Sequence, residues 1–197
     1  SIGDEVFYNC SNVIDVVIGK SVEKIGYNAF SNCERIINAI SKSPYIVLDK
    51  DVYNCGYLNE MATFLYNAED MVTTNYEIDE NGFVTVIDGE EIYLVGYLGN
   101  SQDVVIPDGI TVIYDDVFNH NSNLISVTIP NSVKEIKDQA FWYCTNLQSV
   151  SLSPSLKIIG SRAFSHCSSL EEIILHEGLE TIMWSAFNNS GLTHIEI

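Results

Sequence analysis

A phenylalanine returns every 23 residues through the second half of this chain, at Phe118, Phe141, Phe164 and Phe187, and Phe7 and Phe30 keep the same interval near its start. A fixed period of roughly 20 to 29 residues, with apolar residues at constant offsets, marks a solenoid in which each repeat is one unit stacked on the last. The offsets are kept. Twelve residues before the phenylalanines stand Ile18, Ile106, Ile129, Leu152 and Leu175, and five before them stand Ile2, Ile25, Ile113, Ile136, Ile159 and Ile182. A compact residue precedes each ring (Val6, Ala29, Val117, Ala140, Ala163, Ala186). Six positions after the ring comes an aliphatic residue, at Val13, Ile36, Leu124, Leu147 and Leu170, or five after it at Leu192, the last repeat being one residue shorter.

These columns imply a short strand, a tight turn and a compact helical or irregular arc leading to the next strand. Between Ile125 and Ile129, Val127 and Ile129 alternate with Ser126 and Thr128, and period two turns the apolar pair inward and the polar pair outward. The equivalent stretches are Asp15 to Ile18, Asp103 to Ile106, Ser149 to Leu152, Glu172 to Leu175 and His194 to Ile197. Pro107, Pro130 and Pro154 follow where a proline ends a strand without removing a ladder hydrogen bond. Stacked repeats then form a parallel sheet with strands roughly 4.8 Å apart. The expected fold class is an α/β repeat, a solenoid with a parallel β-sheet on one face and short helical or irregular returns on the other.

The strings IPNSVKEIKDQAFWYCTNLQSVSL (129 to 152) and LKIIGSRAFSHCSSLEEIIL (156 to 175) resemble the leucine-rich repeats of the BspA-like, Treponema pallidum type. The pattern I-G-x-x-A-F-x-x-C-x-x-L-x-x-V-x-I-P covers residues 1 to 41 and 103 to 197. The resemblance implies a leucine-rich-repeat solenoid and a bacterial or protist surface protein, adhesins included, whose partners differ widely. Asn121 and Ser190 depart from it at the cysteine, and Tyr114, Lys137 and Met183 at the glycine.

Phe30 and Phe118 are 88 residues apart, four short of four repeats, and no I-x-x-x-A-F pattern lies between them. The expected organisation is a first repeat block at 1–41, a non-repeat insert at 42–102 and a second repeat block at 103–197. In the insert, Leu58, Met61, Ala62, Leu65 and Tyr66 have the spacing of one amphipathic helix. Tyr76 to Val86 and Glu91 to Tyr97 read as strands, with turns at Asn81-Gly82 and Asp88-Gly89. Spacer, cap and binding element are the three readings of this insert.

At 46% hydrophobic residues the chain has ample material for a core, buried as a line in a solenoid. Nine Lys and Arg against 27 Asp and Glu give a net charge of -18, which repels phosphate backbones and anionic headgroups and argues against nucleic acid or a membrane surface as partner. No apolar run approaches the roughly 20 residues that span a bilayer. Ile2 already occupies the slot five before Phe7, so Ser1 is read as the middle of a repeat, with the upstream sequence and any export signal or anchor outside the chain.

Cys10, Cys33, Cys144 and Cys167 each follow a repeat phenylalanine by three, and Cys55 stands apart in the insert. Such a column points inward, and a ladder of free buried thiols is the expected reading. Converging ligands at C-x-x-C spacing are missing, so neither a metal nor a cofactor is expected. His120 and His166 share the position two after the ring, roughly 10 Å apart across two repeats, and read as exposed turn residues. The acidic pairs Asp79-Glu80, Glu90-Glu91 and Asp115-Asp116 lack calcium-loop spacing and read as solvated surface. Asn9-Cys10-Ser11 and Asn188-Asn189-Ser190 match the glycosylation tripeptide by coincidence.

Candidate binding residues lie where the period leaves side chains unfixed. One outward row runs Asp15, Asn38, Asp103, Ser126, Ser149, Glu172 and His194, and the other runs Val17, Ile40, Val105, Thr128, Ser151, Ile174 and Glu196. Solenoids commonly use this face for partners. Trp142, Tyr143 and Trp184 flank the phenylalanine column and serve either as contacts to a protein or glycan or as covers over repeat junctions. No nucleophile-base-acid set, phosphate loop or metal quartet is present in the sequence, so an enzyme is not expected. The expected function is a surface-anchored or secreted binding module, adhering to a host-matrix or cell-surface protein or glycan. The alternative is a spacer displaying another domain.

Overall fold

Alternation of period two yields the strands it predicts, with residue-level agreement at their cores. The computed structural model describes residues 1–33, 35–48, 55–62, 64–67 and 76–196, and the chain divides into two units, Ser1–Thr74 and Asn75–Ile197. The boundary between the units falls inside the segment expected as an insert.

In the first unit β1 (Asp15–Ile18) pairs in parallel with β2 (Asn38–Ser41), Asp15 opposite Asn38. The next strand, β3 (Phe64–Asn67), pairs in parallel with β2, Asn38 opposite Phe64. Stacking therefore continues past residue 41. The helix expected over Leu58 to Tyr66 is corrected: α1 is a single turn, Leu58–Met61, and Leu65 and Tyr66 belong to β3. Leu58 and Ala62 are buried in one core cluster with Ile25, Ala29 and Phe30, so the helical spacing reflects the core of a solenoid turn. Four residues cannot carry an isolated helix; packing holds this one.

The second unit opens with an antiparallel meander, β4 (Tyr76–Ile78), β5 (Phe83–Asp88) and β6 (Glu91–Tyr97). Its turns lie where the Asn-Gly and Asp-Gly pairs put them, and Gly82 and Gly89 take φ of +86° and +64°. Two parallel ladders then run through the repeats. The expected one comprises β7 (Asp103–Val105), β9 (Ser126–Thr128) and β11 (Ser149–Ser151), with β13 (Glu172–Ile174) and β15 (His194–Glu196) forming a further pair. The other was not read from the sequence. It consists of the two-residue strands β8 (Val112–Ile113), β10 (Glu135–Ile136), β12 (Ile158–Ile159) and β14 (Thr181–Ile182), and it adds to β6 of the meander.

No helix lies among the described residues of the second unit. The returns are laddered turns. Asp116, Phe118 and His120 donate their amides to the carbonyls of Asp138, Ala140 and Trp142 of the next repeat, at 3.2, 2.8 and 2.8 Å. The alternation requires left-handed backbone two residues before and two after the ring. Asp116, Gln139 and Arg162 have φ of 60°, 58° and 55°, and His120, Tyr143 and His166 have 56°, 56° and 61°. Each costs on the order of 1 kcal/mol in an L-residue, offset here by the inter-repeat hydrogen bonds and the ring between them.

That ring stack is the axis of the core. Phe118, Phe141 and Phe164 are buried, with centroids 5.0 Å apart and planes within 5° of parallel, and Phe187 follows at 5.5 Å. The spacing matches the roughly 4.8 Å rise of a parallel ladder. The meander extends the column, since Tyr97 packs on Phe118 at 5.2 Å and Phe83 on Tyr97 at 5.0 Å. Phe7 and Phe30 stack at 5.0 Å in the first unit.

The cysteines of the column are free thiols, buried except for the half-buried Cys10. Cys33, Cys144 and Cys167 donate through Sγ to the carbonyls of Phe7, Phe118 and Phe141 in the repeat before, at 3.0, 3.0 and 3.1 Å. The thiol is thus a weak donor ladder parallel to the rings. Burial raises the Cys144 thiol pKa well above the ordinary value, with the neighbouring Cys167 adding to it, and pushes that of Cys167 up to about 12. Both are protonated at neutral pH and poor nucleophiles.

Candidate interaction surface

Strands β7, β9 and β11 pair without a register shift, so Asp103, Ser126 and Ser149 form one row and Val105, Thr128 and Ser151 the other. The inward residues Val104 and Val127 are buried and Val150 is half-buried, while Asp103, Thr128, Ser149 and Ser151 are exposed. Ser126 is half-buried and donates its hydroxyl to the Asp103 carboxylate at 2.5 Å. A charge-assisted bond this short fixes both side chains. On β13 and β15, Glu172 lies opposite His194 and both are exposed. Val105 and Ile174 are 68% and 60% exposed. The face is a mixed surface of hydroxyls, carboxylates, the His194 imidazole and two aliphatic side chains.

In the first unit the outward row is less open than its sequence suggests. Asn38 is buried at 9% exposure and donates its amide to the Asp15 carboxylate at 3.0 Å. It sits on the central strand of three, between β1 and β3, and this is a correction to its reading as an outward contact residue.

The flanking aromatics assemble in a way the spacing did not reveal. His120, Tyr143 and His166 form a parallel stack, with centroids at 4.9 and 4.1 Å and planes within 6°. Both histidines lie in turns as expected, His120 exposed and His166 half-buried, and they are members of one ladder with a tyrosine between them. Trp142 stands edge-on to His120 at 5.2 Å and to Tyr143 at 4.9 Å, and it is half-buried. Trp184 is 67% exposed, with the Arg162 guanidinium over its ring at 4.6 Å, a cation–π contact of about 0.5–1 kcal/mol at such a site. Stacking uses the faces of Tyr143, and Arg162 uses one face of Trp184.

Asp115 and Asp79, read as solvated surface, have structural partners, and so do Asp4 and Asp138. The Asp115 carboxylate accepts the Asp138 amide at 3.0 Å, Asp138 accepts the Ser161 amide at 2.7 Å, and Asp4 accepts the Tyr27 amide at 2.8 Å. An aspartate three residues before the ring thus joins consecutive repeats. Its recurrence at Asp4, Asp115 and Asp138 was the available signal. Asp79 closes its own turn, accepting from the amides of Asn81 and Phe83 at 2.9 and 2.8 Å. Among the described residues no group of three or more His, Cys, Asp or Glu is placed to hold a metal ion.

A model described as BspA type leucine rich repeat region matches residues 1–79 and 95–197, in six copies. No curated protein matches the chain. Among solved structures, a leucine-rich cell surface protein of Faecalibacterium prausnitzii is 21% identical with a TM-score of 0.62, over all of this chain and 56% of that one. The pneumococcal vaccine antigen PcpA is 20% identical with a TM-score of 0.61, over 93% of this chain and 50% of that one. A leucine-rich repeat protein of Bacteroides capillosus is 27% identical with a TM-score of 0.54, over 60% of this chain and 96% of that one. The chain spans about half the length of the first two.

Proposed function

Because the chain belongs to the BspA-type leucine-rich repeat family, we propose that it is a non-enzymatic binding module of a bacterial cell-surface or secreted protein, adhering to a protein partner through the sheet face of β7 to β15. The observation that carries this reading is the unbroken register of Asp103, Ser126 and Ser149 beside Val105, Thr128 and Ser151, which presents the same two rows of side chains, all exposed but the half-buried Ser126, repeat after repeat. A host matrix or cell-surface protein fits this face better than a compact ligand. Its residues are small, and specific protein interfaces bury at least about 1,000 Å², so contact spreads over many strands. Affinity then builds by repetition, not from a central aromatic or arginine anchor.

The surface location rests on the relatives, one of which is described as a cell surface protein. Carried to this chain, it gives a partner met outside the cell. The test is capture of immobilised matrix proteins and glycans by the chain and by a triple variant, Ser126→Arg, Ser149→Arg and Glu172→Arg. The expected result is one or more protein ligands bound by the parent, with affinity at least about tenfold weaker in the variant, which is the loss of about 1.4 kcal/mol. Equal capture by the variant removes the sheet face as the contact. Silence across the panel favours a spacer, in keeping with the absence of Trp, Tyr and Arg from the two rows.

A further inference from the structure

Where the meander meets the first repeat of the second unit there is an open cleft of about 240 Å³. Its floor is Phe83, Ile92 and Ile110, of which Phe83 and Ile110 are buried, and its rim carries Glu77, Asp79 and Asp108, all exposed. Small-molecule pockets usually measure about 300–1,000 Å³ and enclose most of the ligand. This one is smaller and open, a size suited to one or two side chains of a larger partner.

The charge around it is one-sided. Within the second unit, residues 75–133 contain ten Asp or Glu and no Lys or Arg. Lys134, the first cation after that run, bonds the Thr111 carbonyl through its amide at 2.8 Å and is not among the residues lining the cleft. The two ion pairs found among the described residues, Lys137–Glu135 and Lys157–Glu180, lie in later repeats. Ile78, which also lines the cleft, is 46% exposed on the short edge strand β4. An apolar floor under an acidic rim matches a lysine or arginine side chain, whose aliphatic stem lies along apolar surface while its charged head stays at the edge. Complementary charge also steers encounter with a basic partner.

We propose that this cleft docks a basic segment of a protein partner, seating a lysine or arginine stem on Phe83, Ile92 and Ile110 with its cation held by Glu77 and Asp108. The inference rests on the reading of the chain as a binding module but uses a surface separate from the β7–β15 face. Asp79 contributes charge while its carboxylate holds the turn, so it is left intact in the test.

The probe is a fluorescein-labelled peptide of alternating lysine and leucine, titrated by anisotropy against the whole chain. The Glu77→Gln/Asp108→Asn variant, which touches no hydrogen bond of the fold identified above, should bind at least about tenfold more weakly, and affinity of the parent should fall with added salt. A charge-matched control, Glu171→Gln/Glu177→Gln, removes two exposed carboxylates elsewhere and should bind within about twofold of the parent. Ile78→Lys, which brings a tethered cation to the cleft, should weaken the peptide as the double variant does. Equal loss in control and cleft variants overturns the proposal in favour of non-specific charge attraction. Equal competition by spermine and by unlabelled peptide overturns the protein segment as occupant. Retained binding in the sheet-face triple variant supports a separate site, and this outcome does not depend on whether the matrix-protein panel succeeds.

Discussion

The two units build solenoid turns from different amounts of repetition. In Asn75–Ile197 strand follows strand at 23 residues, from Asp103 to Ser126 to Ser149, and the ring stack runs without interruption from Phe83 to Phe187. In Ser1–Thr74 the first step is also 23 residues, from Asp15 to Asn38, but the next, from Asn38 to Phe64, is 26. There Phe30 donates its amide to Gly56, not to the alanine that accepts in the regular repeats. Backbone register survives the loss of the sequence period. What a turn must preserve is the inter-turn hydrogen bonds and a filled interior, and Leu58, fully buried, contributes to the core of the irregular turn.

If the ring column is what stabilises the regular unit, removing a ring from its middle has the largest effect. Phe141→Ala, at a side chain sandwiched between Phe118 and Phe164 and fully buried, should cost about 3–5 kcal/mol. Phe7→Ala removes a ring that is 37% exposed and stacks on Phe30, and should cost about 1–2 kcal/mol. Urea unfolding followed by circular dichroism measures both. Equal effects would mean that burial along the column is not what separates the sites.

The irregular turn is sharpened by its glycine. Gly56 has φ +62°, and a Cβ there would lie 2.6 Å from Ile25 Cγ2 and 2.9 Å from Ala29 Cβ, neither of which can swing away. Gly89, at the meander turn, has φ +64° and nothing within 4 Å of an added Cβ. Both alanine substitutions carry the left-handed cost of about 1 kcal/mol, and Gly56→Ala should add about 1–2 kcal/mol of overpacking. Hydrogen exchange at the Phe30 amide, bonded to the Gly56 carbonyl at 2.8 Å, reads the first. Global stability reads the second. Comparable losses would show that the third turn relaxes freely around the new methyl.

This difference also explains which parts of the fold could be read in advance. The strand cores at Val16, Val104, Val127 and Ile173 followed from alternation, and the ring column from its period. The turn around Leu58 did not, because three extra residues and the lost Ala-Phe pair removed both signals at once, leaving buried Leu58 and Ala62 to mimic a helix. The strands β8, β10, β12 and β14 are two residues long, too short for an alternation to register. Ser126 and Asp103 were legible as neighbours in a row, but a strand sequence does not reveal that one would bond the other. The His120–Tyr143–His166 stack required knowing that the position two after the ring is left-handed in every repeat. Residues lining the acidic cleft come from strands and a loop distant in sequence, and their meeting is a product of the fold.

The smallest expected effect belongs to the thiols, and it separates ladder from reactivity. Cys144→Ala removes a buried sulfur and its bond to the Phe118 carbonyl, but that carbonyl still accepts the Asn121 amide at 3.0 Å, so no acceptor is orphaned and the cost should be about 1 kcal/mol. Its pH dependence has a definite sign. The folded Cys167 thiol titrates at about 12 against an ordinary 9.0, and Cys144 is raised in the same direction, so above pH 9 the unfolded chain loses protons that the folded chain keeps. The stability contributed by these groups is complete below that pH and is lost as pH rises toward 12. Chemical unfolding from pH 8 upward should show stability falling more steeply in the parent than in a Cys144→Ala/Cys167→Ala variant. The half-buried Cys10 should meanwhile react with a thiol reagent in the native state before either buried thiol does. Parallel pH profiles, or prompt native labelling at Cys144, would mean that the column opens often enough for its thiols to meet water, and the contrast between the sealed thiols of the regular stack and the half-buried Cys10 would lose its chemical basis.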